Sequence, residues 1–199
     1  MSSNFRAGGL SAAILLTCLG TAVAQPAGPP AGAPPAPPMV LTSSSFPDGG
    51  VVPNKYTMAS PSPISPGFSW SNAPAATVSF VFIMHDLDTL PRVAPRPAPG
   101  NDNLHWEAFN IPASTTSFPE GMPQTAQLPD GTIQITNGGG RGPGYLPLGA
   151  RTVYHHYVVE LYGLNIKLDL APTASRADIA AAMEGHIVGK AAYEGRFYF

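Results

Sequence analysis

Residues 85 to 112 read HDLDTLPRVAPRPAPGNDNLHWEAFNIP and set His85, Asp86, Asp88, His105 and Glu107 beside two apolar runs. Only 11% of the chain is charged, so such a concentration of titratable groups calls for a chemical reason. Three chemistries use these types. Two histidines and two aspartates are donors enough for zinc or a two-metal hydrolase. A carboxylate beside an imidazole can move a proton near neutral pH. The same groups can also line a ligand site, where histidines donate to acceptor oxygens and carboxylates accept from a P–OH or an ammonium. A later run, TVYHHYVVELYGL, adds His155, His156 and Tyr157.

Which of these groups meet depends on the elements that carry them. Turn-rich stretches (FPDGG, SPSPISPG, APRPAPGND, NGGGRGPG) alternate with short β-favouring runs (VLTSSSF, GFSWS, TVSFVFIM, LHWEAFNI, GTIQIT and TVYHHYVVELYGL). That spacing predicts a mainly β domain of antiparallel strands. Thr77 to Met84 is apolar enough for a central strand covered on both faces. One helix is expected: Ser175 can cap it, Asp178 completes a capping box, and Ile179, Met183 and Ile187 recur every four residues. GRFYF reads as a last strand, and His186 as a histidine at the edge of the core.

Alternation along a strand sorts the polar groups, because side chains two apart share a face. If the first strand continues through Asp88, then Asp86 and Asp88 share a face with Phe80, Phe82 and Met84, and His85 takes the other. Along the second, His105, Glu107 and Phe109 oppose Leu104 and Trp106. Along the third, His155 and Tyr157 oppose His156. Asp86, Asp88, His105, His155 and Tyr157 are therefore the candidates to converge. His85 and Asp86 cannot both ligate one metal unless the chain turns between them. Neither a His-Glu-x-x-His helix, a cysteine pair nor a Gly-x-Ser-x-Gly elbow occurs.

The N-terminal part reads differently. Residues 1 to 24 carry Arg6, then a mostly apolar run, then AVA before Gln25, the order of a secretory signal peptide. That apolar run is too short for a membrane-spanning helix. Cys18 is the single cysteine, and cleavage after Ala24 would remove it. LLTC is a poor match to a lipoprotein box, in which a small residue stands where Thr17 does. Seven of the fourteen residues from 25 to 38 are proline, which makes a polyproline-like linker. Residues 39 to 199 are one domain's worth of chain. Without Arg6, nine basic residues face twelve acidic ones, a net of 9 − 12 = −3. With no basic run, a nucleic-acid partner is not expected.

The motifs of this domain, taken in order, resemble the phosphatidylethanolamine-binding protein family, in its bacterial, Raf-kinase-inhibitor-like branch. The resemblance rests on FPDGGVVPNKYT, SPGFSWSNAPAATVSFVFIMHDLD, LHWEAFNIP, GPGYLPLG, HHYVVELYGL and AAMEGHIVGKAAYEGRF. It implies a large antiparallel sheet packed on a smaller one, with a few peripheral helices. It also implies a small anion pocket for groups such as a lipid-headgroup phosphate, lined by Asp86, Asp88, His105, His155 and Tyr157, with the backbone of Gly142 and Pro143 at the rim. The chain departs from the family pattern at Leu87, between the two aspartates, where proline is usual. Pro91 falls one residue late, GPGYLPLG is one residue longer than the usual loop, and His156 stands where arginine is common. Arg92 and Arg96 belong to a variant loop and read as solvated loop charges, with an approach to the pocket as the alternative.

The expectation is an exported, periplasmic or secreted, non-enzymatic binding protein with no cofactor and no metal. Its ligand is a small phosphate-bearing molecule or headgroup. An inhibitor of a protease or other enzyme is one alternative, and a metal-dependent hydrolase another.

Overall fold

The computed structural model describes residues 36–89, 102–151 and 153–199. The signal peptide, most of the proline-rich linker, Arg92 and Arg96 lie outside the described residues. Along the chain come β1 (Val40–Thr42), β2 (Gly50–Val51), a 3-10 turn (Asn54–Tyr56), β3 (Phe68–Ser71), β4 (Ser79–Asp86), β5 (Asn103–Pro112), β6 (Ser117–Phe118), β7 (Ile133–Gln134), β8 (His155–Leu164), α1 (Arg176–Met183) and β9 (Ile187–Phe197).

These strands form a six-stranded sheet in the order β2-β9-β8-β4-β5-β7 and a three-stranded sheet, β1-β3-β6. The pairings are antiparallel except for β2 with β9. β4 is buried along all eight residues between β5 and β8, as its unbroken apolar run predicts. One face of the large sheet packs Phe80, Phe82, Met84, Trp106, Val159 and Leu161 against Leu41, Phe68, Trp70 and Phe118 of the small sheet. The rings interlock mostly edge-on: Phe82 lies 4.8 Å from Trp106 and 5.3 Å from Phe68, centroid to centroid, the arrangement that aromatic quadrupoles favour. The opposite face packs Val81, Ile83, Leu104, Phe109 and Leu164 against Ile179 and Met183 of α1. The two aspects of β4 therefore look into separate cores.

The capping box of α1 forms as its sequence predicts. The Asp178 backbone N–H donates to the Ser175 hydroxyl at 3.2 Å, and the Ser175 N–H donates to the Asp178 carboxylate at 2.9 Å. The other end differs from expectation. α1 stops at Met183, and Ile187 opens β9 instead of extending the apolar helical face. Gly185 explains the stop: its φ of +76° is the left-handed turn that ends helices and that other residues reach only with strain. β9 is also far longer than GRFYF, because Gly189 and Gly195 hide its character in the sequence. At Gly195 a Cβ would come within 2.6 Å of both Phe46 and Val52, so the strand crosses the core there only as glycine.

Candidate functional site

The site forms at one end of the large sheet, where β4 finishes. Asp86 is the last residue of β4 and pairs with Asn103 of β5 on one side and Tyr157 of β8 on the other. Register thus delivers groups from three neighbouring strands to one spot. Simple alternation fails in β5. Met84 pairs with Trp106 but His85 pairs with Leu104, so the ladder carries an extra residue at His105. This β-bulge turns His105 and Trp106 toward the same face and sends Leu104, Glu107 and Phe109 to the other. The expected grouping of His105 with Glu107 and Phe109 is therefore corrected. Bulges re-aim side chains in this way, often beside functional sites.

Around that spot lies a cavity of about 670 Å³, lined by Asp86, Asn103, His105, Arg141, Arg151 and His155, among others. His105 is 2% exposed. One of its ring nitrogens, Nδ1, lies 2.8 Å from the Leu146 carbonyl, and the other, Nε2, lies 3.1 Å from the Asn103 amide. A carbonyl can only accept, so Nδ1 carries the hydrogen and Nε2 accepts from Asn103. Burial, foremost, holds the His105 pKa below the ordinary histidine value, which leaves the ring neutral at pH 7. The Asp86 carboxylate accepts from His155 Nδ1 at 2.7 Å and from the Asp88 backbone N–H at 2.9 Å. This pairing fixes the His155 ring on the cavity wall, with its Nδ1 turned to Asp86.

Of the other candidates, Tyr157 is fully buried beneath these rings, 5.1 Å from His105 and 6.4 Å from His155 between centroids. Among the described residues its hydroxyl has no hydrogen-bond partner, and burial pushes its pKa well above the usual tyrosine range. Asp88 is not brought to the cavity. β4 ends at Asp86 instead of running on through Asp88, and the Asp88 carboxylate turns to His156, accepting from its backbone N–H at 2.7 Å and from Nδ1 at 2.8 Å. The same backbone hydrogen bond is the foremost cause of the lowered Asp88 pKa. His156 points away from Tyr157, as alternation predicts. Gly142 and Pro143 are not among the lining residues; Gly138, Gly139 and Arg141 occupy that wall. The sequence reading also missed Asn103 and Arg151. Asn103 was legible as the residue pairing with Asp86 once strand register is known, whereas Arg151 sits in a loop and has no periodicity to betray it.

What the arrangement can do is hold an anion that carries a hydrogen-bond donor. Two guanidiniums supply positive charge and N–H donors, while Asp86 supplies a carboxylate acceptor. A profile of the family described as phosphatidylethanolamine-binding protein matches residues 42–199. The chain belongs to the phosphatidylethanolamine-binding protein family.

Other members are similar over most of the domain. An uncharacterised family protein of Methanothermobacter thermautotrophicus is 37% identical over 163 residues, covering 80% of this chain and 98% of its own length. A protein of Mycobacterium tuberculosis described as a lipoprotein is 30% identical over 169 residues, covering 83% of this chain and 75% of its own length. Among solved structures, a Chlamydia trachomatis homologue of phosphatidylethanolamine-binding protein superposes with a TM-score of 0.69 at 29% identity. It covers 80% of this chain and 96% of that one. Fold alone links the chain to Escherichia coli YBCL, with a TM-score of 0.65 at 23% identity, covering 81% and 98%. The sheet-on-sheet architecture is the family fold.

Proposed function

We propose that this family member is a non-enzymatic binding protein whose cavity takes phosphate-bearing small molecules or lipid headgroups. The observation that carries the reading is the Asp86–His155 pair on the wall of a cavity that also holds His105, Arg141 and Arg151. A carboxylate repels a bare anion, so its presence beside two guanidiniums selects ligands that bring a proton or an ammonium with their charge. Phosphate monoesters and phosphoethanolamine fit that description, and sulfate at neutral pH does not.

Asp86→Asn tests the selection. It keeps the side chain's shape and removes the charged acceptor. Phosphate affinity, followed by calorimetry, is expected to fall about tenfold, the scale of one hydrogen bond to a charged group, and sulfate affinity to fall less or to rise. Equal losses for both anions would defeat the reading. Zinc uptake that disappears in His105→Ala would point instead to a metal-dependent enzyme.

Export completes the proposal. Its supports are the charged, apolar, small-residue order of residues 1 to 24 and the relative described as a lipoprotein. N-terminal sequencing of the protein expressed in a bacterium with its leader is expected to begin at Gln25. An intact Met1, or a lipid on Cys18, would rule out that processing.

A further inference from the structure

The second face of the central sheet holds a polar cluster that the anion pocket does not use. Glu107 projects there because the His105 bulge reverses its facing. It is 1% exposed, and among the described residues its Oε2 has no hydrogen-bond partner. It nonetheless lines a groove of about 300 Å³ between the sheet and α1, together with Ile83, Glu160, Met183, Glu184 and Ile187. A buried carboxylate oxygen left without a partner costs free energy, and a groove lined by the same residue offers a place for the missing donor.

Neighbouring charges indicate which donor. Arg176 also lines the groove, but its guanidinium is held on Asp102 at 2.9 Å. Lys190 is held on Glu160 at 2.5 Å and lies over the Tyr162 ring. His85 is held by Asp102 and faces Glu160 at 3.5 Å. Among the described residues, both nearby fixed cations are thus matched by carboxylates other than Glu107 and Glu184, which leaves the described groove with an excess of acceptors. Its walls (Ile83, Met183, Ile187 and Ala180) are apolar. Among the described residues, no three histidine, cysteine or acidic side chains are arranged to hold a metal ion.

We propose that this groove is a second binding site, separate from the anion pocket, for a small primary ammonium with a short hydrocarbon tail, its N–H groups donating to Glu107. The ammonium supplies the absent donor and offsets the excess acid. The tail lies against Ile83, Met183 and Ile187. A volume of about 300 Å³ is at the small end for ligand pockets, which suits a tail of a few carbons.

Binding requires Glu107 as carboxylate. Burial, foremost, raises its pKa from 4.5 to about 7, Arg176 and His85 work against that rise, and Asp102 adds to it. Among the described residues, Glu160, Tyr162, Lys190 and Glu184 are the other charged and titratable groups around it.

Calorimetry on the full domain with n-butylammonium chloride tests the site. Saturable binding is expected, tighter at pH 8 than at pH 6. Glu107→Gln should weaken it by roughly tenfold or more, the scale of a lost hydrogen bond to a charged group. Ala180→Phe, a change at an exposed helix position on the groove wall, should block it without touching any charge. Neutral n-butanol should bind far more weakly than the ammonium. Phosphate affinity should be unchanged in both variants, which separates this site from the anion pocket. Absence of saturable butylammonium binding would overturn the proposal. So would undiminished binding in Glu107→Gln, or butanol binding as tightly as butylammonium.

Discussion

Glu107→Gln is expected to stabilise the domain by roughly 3 kcal/mol above pH 8 and to change little at pH 4. Burial lifts this carboxyl from 4.5 to about 7, and each pH unit between the two values is worth ~1.36 kcal/mol. The folded-state pKa is the raised one. The favourable contribution of the protonated acid is therefore complete below about 4.5 and is lost as the pH climbs to about 7, where the loss levels off. Glutamine mimics the protonated acid in shape and cannot ionise, so it escapes that loss. Because Glu107 is almost wholly buried, solvent screening takes little from the effect. Urea unfolding of both proteins at several pH values measures the difference directly. Other groups titrate nearby, among them His85 with a raised pKa and Glu160 held down to about 2, but they are present in both proteins and largely cancel in the comparison. A difference that stays flat from pH 4 to pH 9 would mean that Glu107 is not perturbed in this way.

The same residue shows where sequence reading stopped. The apolar run of β4 announced a central strand, and the capping box announced the start of α1, because each signal is local. Alternation also separated His85 from Asp86 and His155 from His156 correctly, since neither β4 nor β8 is bulged across those residues. In β5 it could not succeed. The extra residue at His105 is invisible in the residue types, and from there on the facing of Trp106 and Glu107 inverts. His105 still reaches the Asp86 face, but by way of the bulge. The end of α1 depended on one glycine at positive φ, and the placing of Asp88 on where a strand stops. Both are backbone events settled by neighbours distant in the chain. Arg141 and Arg151 come from loops whose path no periodicity encodes.

The adjacent histidines of β8 give the central claim its sharpest handle. His155 faces the cavity with its Nδ1 on Asp86, while His156 faces outward with its Nδ1 on Asp88. Two substitutions one residue apart thus remove the same chemistry from opposite sides of one strand. Neither ring belongs to the packed core, so both variants are expected to fold. Removing His155 takes away a ring on the cavity wall and also the side chain that holds Asp86 in place. The expected loss is ~1.5–3 kcal/mol. His156→Ala removes only a surface contact, for which the expected change is below about 1 kcal/mol.

The measurement that bears most directly on the pocket is calorimetric titration of phosphoethanolamine into the wild-type domain, His155→Ala and His156→Ala at pH 7. The predicted result is saturable wild-type binding, weakened about tenfold or more by His155→Ala and nearly unchanged by His156→Ala. Wild-type affinity retained in His155→Ala, or a greater loss at His156 than at His155, would contradict the assignment of this cavity as the phosphate site.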